Sequence, residues 1–184
     1  MIDFAKLGEE RKLDKERFYL LIAGSRGFTM DGSMSYGTGE SSTIIDNYII
    51  FTGMVDRLLA KCKDKYKEII IVHGDARGVD AMAKRYAKEH GYANKEYKAD
   101  WVNDGRRAGM IRNQQMYNYL YLHPNKAAAL FWDGESRGTR NNFLHVNNGN
   151  IKVVCYNYML QRWMTKEEIE EVTGEVVRES SRYI

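Results

Sequence analysis

The sequence predicts an α/β fold in which helices cover both faces of a doubly wound parallel sheet. Five short apolar runs have the length of strands, and most are continuously apolar, as expected when both faces of a strand are buried. Segments with helical periodicity separate these runs, and strand–helix alternation of this kind is typical of a parallel sheet. The runs are FYLLIAG (18–24), EIIIVHG (68–74), KEYKA (95–99), AAALFW (127–132) and IKVVCY (151–156).

The helices are predicted from the spacing of apolar residues. One helix precedes the second strand and another follows it, each with an apolar stripe along one face. A third helix spans 108–122 and stops before Pro124, and a shorter fourth spans 137–149 with an Asn/Gly end. The first stripe consists of Tyr48, Phe51, Val55, Leu58 and Cys62. The second consists of Val79, Met82, Ala83, Tyr86 and Ala87.

Two segments fall outside this alternation. The C-terminal tail contains Thr165 and, three residues later, Glu168, a capping box that predicts a short helix. Residues 27–43 are a long Gly/Ser-rich stretch, which predicts either a lid over a ligand, with Tyr36 as a contact, or a flexible insertion. Apolar residues ahead of the last helix need cover from the same domain or from a second subunit. They are Tyr158, Leu160, Trp163 and Met164.

Length and composition limit the class of protein. A chain of 184 residues fits one domain, 1–184, with the α/β core at about 18–156 and a helical tail at 157–184. No apolar run approaches the ~20 residues of a membrane span, and the N-terminus lacks the apolar centre of a signal peptide, so we expect a cytoplasmic protein without a membrane partner. The net charge of +3 permits an anionic ligand but does not favour nucleic acid.

Neither a metal site nor another cofactor is predicted. The four histidines are scattered, and Cys62 and Cys155 lie far apart without the spacing of metal ligands. Each cysteine is expected to be reduced and in the core, Cys62 on a helix and Cys155 on a strand.

Glycine-containing turns follow the first, second and fourth strands, and each turn carries an arginine. Ligands of open parallel sheets bind beyond the carboxyl ends of the strands, so we expect these turns at one edge. Glycine lets the backbone approach a ligand, arginine matches phosphate oxygens, and helix N-termini add positive potential. Any single turn can use glycine for packing alone, but three together favour an anion site. The predicted contacts are Gly24, Ser25, Arg26, Gly74, Ala76, Arg77, Asp80, Asp133, Gly134, Ser136, Arg137, Gly138 and Thr139.

The connection after the third strand, ADWVNDGRRAGMIRNQQM, adds further candidates. Trp101 either stacks on a nucleobase or packs against the domain. Arg107, Arg112 and Asn113 lie at the start of the third helix and can face the same crevice, although Arg112 can instead hold this helix to its neighbours. Asp80 either caps backbone amides, the interpretation we favour, or binds a ribose hydroxyl.

Four motifs together resemble the small YspA-like proteins of the SLOG superfamily. They are GSRG, HGDARGVDAMAKRYA, ADWVNDGRRAGMIRNQQM and FWDGESRGT, and the resemblance covers about 18–156. This superfamily has a Rossmann-like fold and includes the DNA-uptake protein DprA, the LOG phosphoribohydrolases and domains thought to sense nucleotide-derived ligands. The resemblance implies the strand order 3-2-1-4-5 and a nucleotide or ADP-ribose-like ligand. Together with the apolar tail, it also favours a homodimer or higher homo-oligomer.

The chain departs from the hydrolases of this superfamily at one position. In LOG enzymes the last glycine turn continues as G-T-x-x-E, and the glutamate takes part in cleaving an N-glycosidic bond. Here Gly138 and Thr139 are followed by Asn142 at the glutamate position, and an amide offers no titratable acid. Glu135 precedes the glycine and is expected to point differently. The ligand-binding frame is therefore expected without the usual acid.

Three functions follow from these observations. The first is a sensor or sequestering protein that binds a nucleotide-derived small molecule. The second is a nucleotide phosphoribohydrolase or related N-glycosidase that uses another acid, with Asp80, Asp100, Asp133 and Glu135 as candidates. The third, ranked last, is a single-stranded DNA binder, which would need a broad basic surface with exposed aromatic residues.

Overall fold

The computed structural model describes residues 4–36, 42–146 and 151–181. A 3-10 turn, Gly105–Arg107, precedes the fourth long helix. The other elements in chain order are α1 (Phe4–Lys15), β1 (Arg17–Gly24), β2 (Ser33–Tyr36), β3 (Thr43–Asp46), α2 (Asn47–Lys63), β4 (Glu68–His73), α3 (Val79–His90), β5 (Ala93–Glu96), α4 (Ala108–Tyr121), β6 (Lys126–Trp132), α5 (Arg137–Arg140), α6 (Asn142–Val146), β7 (Lys152–Asn157), β8 (Arg162–Trp163) and α7 (Lys166–Ser180).

The main sheet has six strands in the order β5-β4-β1-β6-β7-β8. All neighbouring pairs are parallel except β7 and β8, which are antiparallel. The predicted α/β, Rossmann-like fold is confirmed, and the five predicted strands have the order 3-2-1-4-5. The predicted number of strands was one too low, because β8 has only two residues and no apolar run marks it in the sequence.

Helices cover both faces of the sheet, and successive residues of β1 alternate between two buried clusters. Leu20 and Ile22 pack in the cluster that includes residues of α2 and α3. Tyr19 and Leu21 pack in the cluster that includes residues of α4, α6 and α7. Each large apolar side chain buried in this way stabilises the fold by about 1.5–3 kcal/mol. The central strands are therefore packed on both faces, and this packing holds their carboxyl ends in place.

The Gly/Ser-rich stretch predicted at 27–43 contains part of an antiparallel hairpin, β2–β3. The hydroxyl of Tyr36 lies 2.8 Å from the hydroxyl of Tyr156 in β7. The side chain of Gln161 donates to the carbonyl of Ser35 at 2.8 Å. Residues 37–41 of the connection lie outside the described residues. Where the hairpin is described, it packs against β7 and the turn that follows β7.

The C-terminal tail obtains most of its cover from its own domain. Tyr158 stacks on Phe28 with 4.7 Å between the ring centroids, and Trp163 lies 5.4 Å from the ring of Tyr156. Met164 is partly buried against the cluster on the α4 face. Leu160 stays 59% exposed, so it alone of the four predicted tail residues keeps most of its surface in solvent.

Of the last two predicted helices, one is confirmed and the other is divided in the structure. The capping box is confirmed: the Glu168 amide donates to Thr165 Oγ1 at 3.2 Å, and the Thr165 amide donates to the Glu168 carboxylate at 2.7 Å. The helix predicted at 137–149 is instead two short helices, α5 and α6, and 147–149 lie outside the described residues. Asn141 separates them, and the Asn142 side chain at the start of α6 donates to the carbonyls of Gly138 and Thr139 in α5.

Two further sequence features can be located in the structure. Cys62 lies in α2 and Cys155 is buried in β7, and both are free thiols, as predicted. Within the described ranges, no helix combines the length and the apolar character needed to cross a bilayer.

Gly24 ends β1 where β6 and α3 meet it, and the space there excludes a side chain. A Cβ atom would lie 2.4 Å from the carbonyl oxygen of Phe131 and 2.6 Å from a methyl carbon of Val79. Gly24→Ala is therefore expected to lower the free energy of unfolding by about 1–3 kcal/mol, as overpacking does. Urea denaturation followed by circular dichroism measures this change.

Gly53 in α2 provides the matched control, because a Cβ atom there would meet nothing within 4 Å. Gly53→Ala is expected to raise the free energy of unfolding by about 0.5–1 kcal/mol, since alanine has the higher helix propensity. Changes of the same sign in the two variants would contradict the crowding at Gly24.

Candidate functional site

A crevice opens at the carboxyl edge of the parallel strands, where the connections after β1, β4, β5 and β6 meet. It has two lobes. The first lobe has a volume of about 630 Å³ and includes residues that follow β6. The second lobe, of about 450 Å³, includes the residues that follow β4. The lobes share Arg26, Ala76, Trp101 and Arg112, and each volume is in the range of small-molecule sites.

Most of the predicted ligand contacts line this crevice. The second lobe contains Gly74 and Arg77 in addition to the four shared residues. The predicted residues that line the first lobe are Gly24, Arg26, Ala76, Asp80, Trp101, Arg112, Asn113, Asp133, Ser136, Arg137, Gly138 and Thr139.

A few predicted residues lie outside the lining of both lobes. Ser25 is 1% exposed, and its hydroxyl accepts a hydrogen bond from the Asp133 amide at 3.3 Å. Ser25 therefore links the turns after β1 and β6 without lining the crevice. Arg107 does not line the crevice, whereas its neighbour Arg106 does, because successive side chains of a 3-10 turn point ~120° apart. Gly134 and Glu135 lie in the turn after β6 and also stay outside the lining.

Arg112 is bound inside the protein. Its Nη1 donates to the Gly74 carbonyl at 2.5 Å and to Asp80 Oδ2 at 3.1 Å, and its Nε donates to Asn113 Oδ1 at 3.1 Å. A Cβ atom at Gly74 would lie 1.7 Å from Arg112 Nη1, so only glycine permits this approach. Arg112 thus holds α4 to its neighbours and also lines both lobes, and a contact between Arg112 and a ligand stays a prediction.

Asp80 is buried at the start of α3 and is 3% exposed. Its Oδ2 accepts from Arg112 and, at 3.3 Å, from the Ala76 amide, which lies in the turn before α3 and not in the helix itself. Burial raises the pKa of Asp80 to about 6, and the Arg112 guanidinium and the Ala76 amide oppose that rise. Burial thus favours the protonated form of Asp80, and the ion pair with Arg112 favours the ionised form.

Two other candidate acids, in contrast, have lowered pKa values. Burial acts to raise the pKa of Asp133, but the amides of Ser136 and Glu135, which donate to its Oδ1 at 2.7 and 2.9 Å, hold that pKa below its ordinary value. The side chain and amide of Asn103 lower the pKa of Asp100 in the same way. A carboxyl group with a lowered pKa is a poor proton donor at neutral pH.

Four arginines around the crevice have no carboxylate partner among the residues that the structure describes. Arg26, Arg106 and Arg137 line the first lobe, and Arg77 lines the second. Arg26 lies over the Trp101 ring, with 5.4 Å from its Cζ to the ring centroid. These four arginines therefore form no direct ion pair in the described part of the chain, although Asp75, Asp80 and Asp133 also line the crevice. Ion-paired arginines elsewhere in the chain include Arg17, Arg85, Arg140 and Arg162.

The walls of the first lobe differ in character. Trp101, from the β5–α4 connection, and Met110, in the first turn of α4, are 52% and 50% exposed and form an apolar wall. Gly138, after β6, would place a Cβ atom with nothing within 4 Å, so its backbone is open to a ligand. The helix that contains Gly138 has only four residues, and the dipole contribution expected there from the sequence is correspondingly small.

Sequence analysis did not identify Arg106, Met110 or Asn142 as residues lining the site. Arg106 and Met110 both lie in the quoted GRRAGM segment, and the directions of their side chains depend on the exact start of α4. Asn142 was noted only as the replacement for a glutamate. The structure places it in the lining of the first lobe, 2% exposed.

Comparisons with known proteins agree with this architecture. The model of the YspA, cpYpsA-related SLOG family matches residues 19–103. The Gene 61 protein of Mycobacterium phage D29 is 31% identical over 93 residues, which cover 48% of this chain and 71% of the phage protein. The chain belongs to the YspA-related SLOG family. No solved structure matches this SLOG protein. The matched range includes the turns after β1 and β4 and ends in the turn after β5, so the SLOG protein's remaining site residues lie beyond it.

Removal of the Arg112 guanidinium would leave the Asp80 carboxylate buried without its countercharge. Arg112→Met is expected to lower the free energy of unfolding at pH 8 by about 3–5 kcal/mol. The loss at pH 5 is expected to be smaller. The pKa of Asp80, already raised to about 6, rises further without Arg112. A carboxyl group with a raised pKa in the folded state stabilises that state at low pH. This stabilisation is lost as the pH rises through the folded pKa. Urea denaturation at the two pH values measures the difference.

The control is Asp80→Asn in the Arg112→Met background, which removes the titrating group but keeps an acceptor for the Ala76 amide. The extra loss of stability at pH 8 is expected to disappear. If it persists in the double variant, a group other than Asp80 is responsible.

Proposed function

We propose that the crevice binds a phosphate-containing, nucleotide-derived small molecule, and that the protein acts as a sensor or sequestering protein for it. The observation that carries this proposal is the convergence of four unpaired arginines on a crevice of small-molecule size. Arginine offers paired donors to phosphate oxygens, and a cavity wall of low polarity strengthens that attraction. Membership of the SLOG family supports a nucleotide-related role.

The first lobe suits a nucleoside phosphate. Arg26 and Arg137 provide donors for the phosphate, and the open backbone at Gly138 allows a ligand to approach closely. Trp101 and Met110 provide an apolar wall on which a base can stack or pack. The cation of Arg26 lies 5.4 Å from the centroid of the Trp101 ring, which supports a ligand position beside both side chains.

The second lobe favours a ligand with two parts. Arg26 and Trp101 belong to the lining of both lobes, so a single molecule can extend from one lobe into the other past these side chains. Arg77 adds an unpaired cation to the second lobe. An ADP-ribose-like molecule, with two sugars joined by two phosphates, has the charge and the extended shape that this arrangement accommodates.

Turnover is the second candidate function, and Asp80 is the observation in its favour. A carboxyl group with a pKa raised to about 6 in a crevice is a possible general acid. Its Oδ2 is, however, already occupied by Arg112 and the Ala76 amide, and Asn142 supplies no acid. Binding without turnover is therefore the better supported function. Single-stranded DNA binding has less support, because the unpaired cations concentrate in one crevice.

Three arginine variants test the proposed site. Arg26→Ala, Arg77→Ala and Arg137→Ala are each expected to weaken ADP-ribose binding by about tenfold or more, since a charge-assisted hydrogen bond contributes about 1.5–3 kcal/mol. Their melting temperatures should stay close to the wild type, because none of the three side chains forms an ion pair in the described part of the chain. Isothermal titration calorimetry measures the affinities.

Arg57 in α2 is the matched control, because it is exposed and lies outside the lining of both lobes. Arg57→Ala is expected to bind ADP-ribose like the wild type. For AMP, which can fill one lobe only, Arg77→Ala should have less effect than Arg137→Ala. Unchanged ADP-ribose affinity in all three crevice variants would refute the proposed site.

A turnover assay separates the two candidate functions. Incubation of the protein with AMP or ADP-ribose is expected to release no free adenine beyond one equivalent per protein, as followed by chromatography. Repeated turnover that is lost in Asp80→Asn or Asp133→Asn would establish an N-glycosidase in place of a binding protein.

A further inference from the structure

The side-chain amide of Asn142 is bonded at its nitrogen and unbonded at its oxygen. Its Nδ2 donates to the carbonyls of Gly138 and Thr139 at 3.1 and 3.0 Å. These two acceptors determine which end of the amide is nitrogen, because the reverse orientation would place Oδ1 against two carbonyl oxygens. Asn142 Oδ1 is buried and has no hydrogen-bond partner in the described structure.

The position of this oxygen distinguishes it from other buried polar atoms without partners. Six such side-chain atoms occur in the described residues, and only Asn142 among their residues lines a lobe of the crevice. A buried acceptor without a partner is costly, so one at a binding site indicates a donor supplied by the ligand. The other five atoms belong to Asn47, His73, Tyr117, His123 and His145.

The turn that carries Asn142 is held in place from α4. Asn113 Nδ2 donates to the Gly138 carbonyl at 3.2 Å and to Asn141 Oδ1 at 3.1 Å. The Gly138 carbonyl therefore receives two amide donors, one from Asn113 and one from Asn142. These bonds fix the acceptor before a ligand arrives, which reduces the entropic cost of using it.

We infer that Asn142 Oδ1 accepts a hydrogen bond from a ribose hydroxyl of the ligand and makes the site selective for ribose over deoxyribose. The inference rests on the proposed function. An amide oxygen only accepts, so its partner is a donor and not a phosphate oxygen. Asn142 and Arg137 both line the first lobe and lie five residues apart in the segment between β6 and β7. If Arg137 binds the phosphate, the part of the ligand nearest to Asn142 is the sugar. The apolar wall for the base comes from a different part of the chain, through Trp101 ahead of α4 and Met110 in its first turn.

Calorimetry with AMP, 2′-deoxy-AMP and 3′-deoxy-AMP tests this inference on the wild-type protein, without any substitution. One of the two deoxy analogues is expected to bind about tenfold more weakly than AMP, because its binding leaves the buried acceptor unpaired. Asn142→Ala should bind AMP and that analogue within about twofold of each other. Asn118→Ala, an exposed amide of α4 bonded to Gln114, should keep the wild-type preference.

The outcomes separate this inference from the proposed function. If the wild-type protein binds AMP and both deoxy analogues equally, the role of Asn142 is refuted while the proposed function stands. Discrimination that persists in Asn142→Ala also refutes it. If neither AMP nor ADP-ribose binds to the wild-type protein, the proposed function fails and this inference fails with it.

Discussion

The guanidinium of Arg112, whose side chain is 12% exposed, is the contact on which the candidate site depends. It joins α4 to the turn after β4 through the Gly74 carbonyl, and to the start of α3 through Asp80. Only glycine at position 74 leaves room for this approach. Separation of the two buried charges would leave one of them unpaired, at a cost of about 3–5 kcal/mol. Because Arg112 lines both lobes, the same contact shapes the crevice and holds three elements together.

The arginines of the crevice fall into two groups, those that form an ion pair with a carboxylate and those that do not. Arg112 meets a buried carboxylate, so its charge is used within the protein. Arg26 lies over an aromatic ring and keeps its charge available. Asp133, the other acid that lines the first lobe, is engaged by backbone amides and pairs with none of these arginines. The result is a crevice in which one arginine is ion-paired and four form no ion pair among the described residues.

Much of the fold could be predicted because burial on both faces of a sheet leaves a strong trace in the sequence. Four of the predicted runs located strands of the main sheet, whereas the run at 95–99 overlaps β5 at only two residues because β5 is short and not apolar. The strand order came from the family resemblance. The elements that were not predicted lack such a trace. β8 has two residues, the β2–β3 hairpin is largely exposed, and no helix was predicted at α1, whose segment is rich in charged residues. The periodicity of 137–149 does not reveal that its described part divides into two helices at Asn141.

The sequence by itself determined that four arginine-bearing turns lie at the carboxyl ends of parallel strands, since the strand–helix alternation leaves them no other place. Only the tertiary structure decided what each side chain does there. Arg112 and Gly74 are 38 positions apart, and Arg106 lines the crevice where its neighbour Arg107 does not. The sequence also did not reveal that the side-chain oxygen of Asn142 lacks a partner, because the orientation of this amide depends on the carbonyls to which its nitrogen donates. Burial and hydrogen bonding arise from contacts between distant residues, and a pattern of residue types does not contain those contacts.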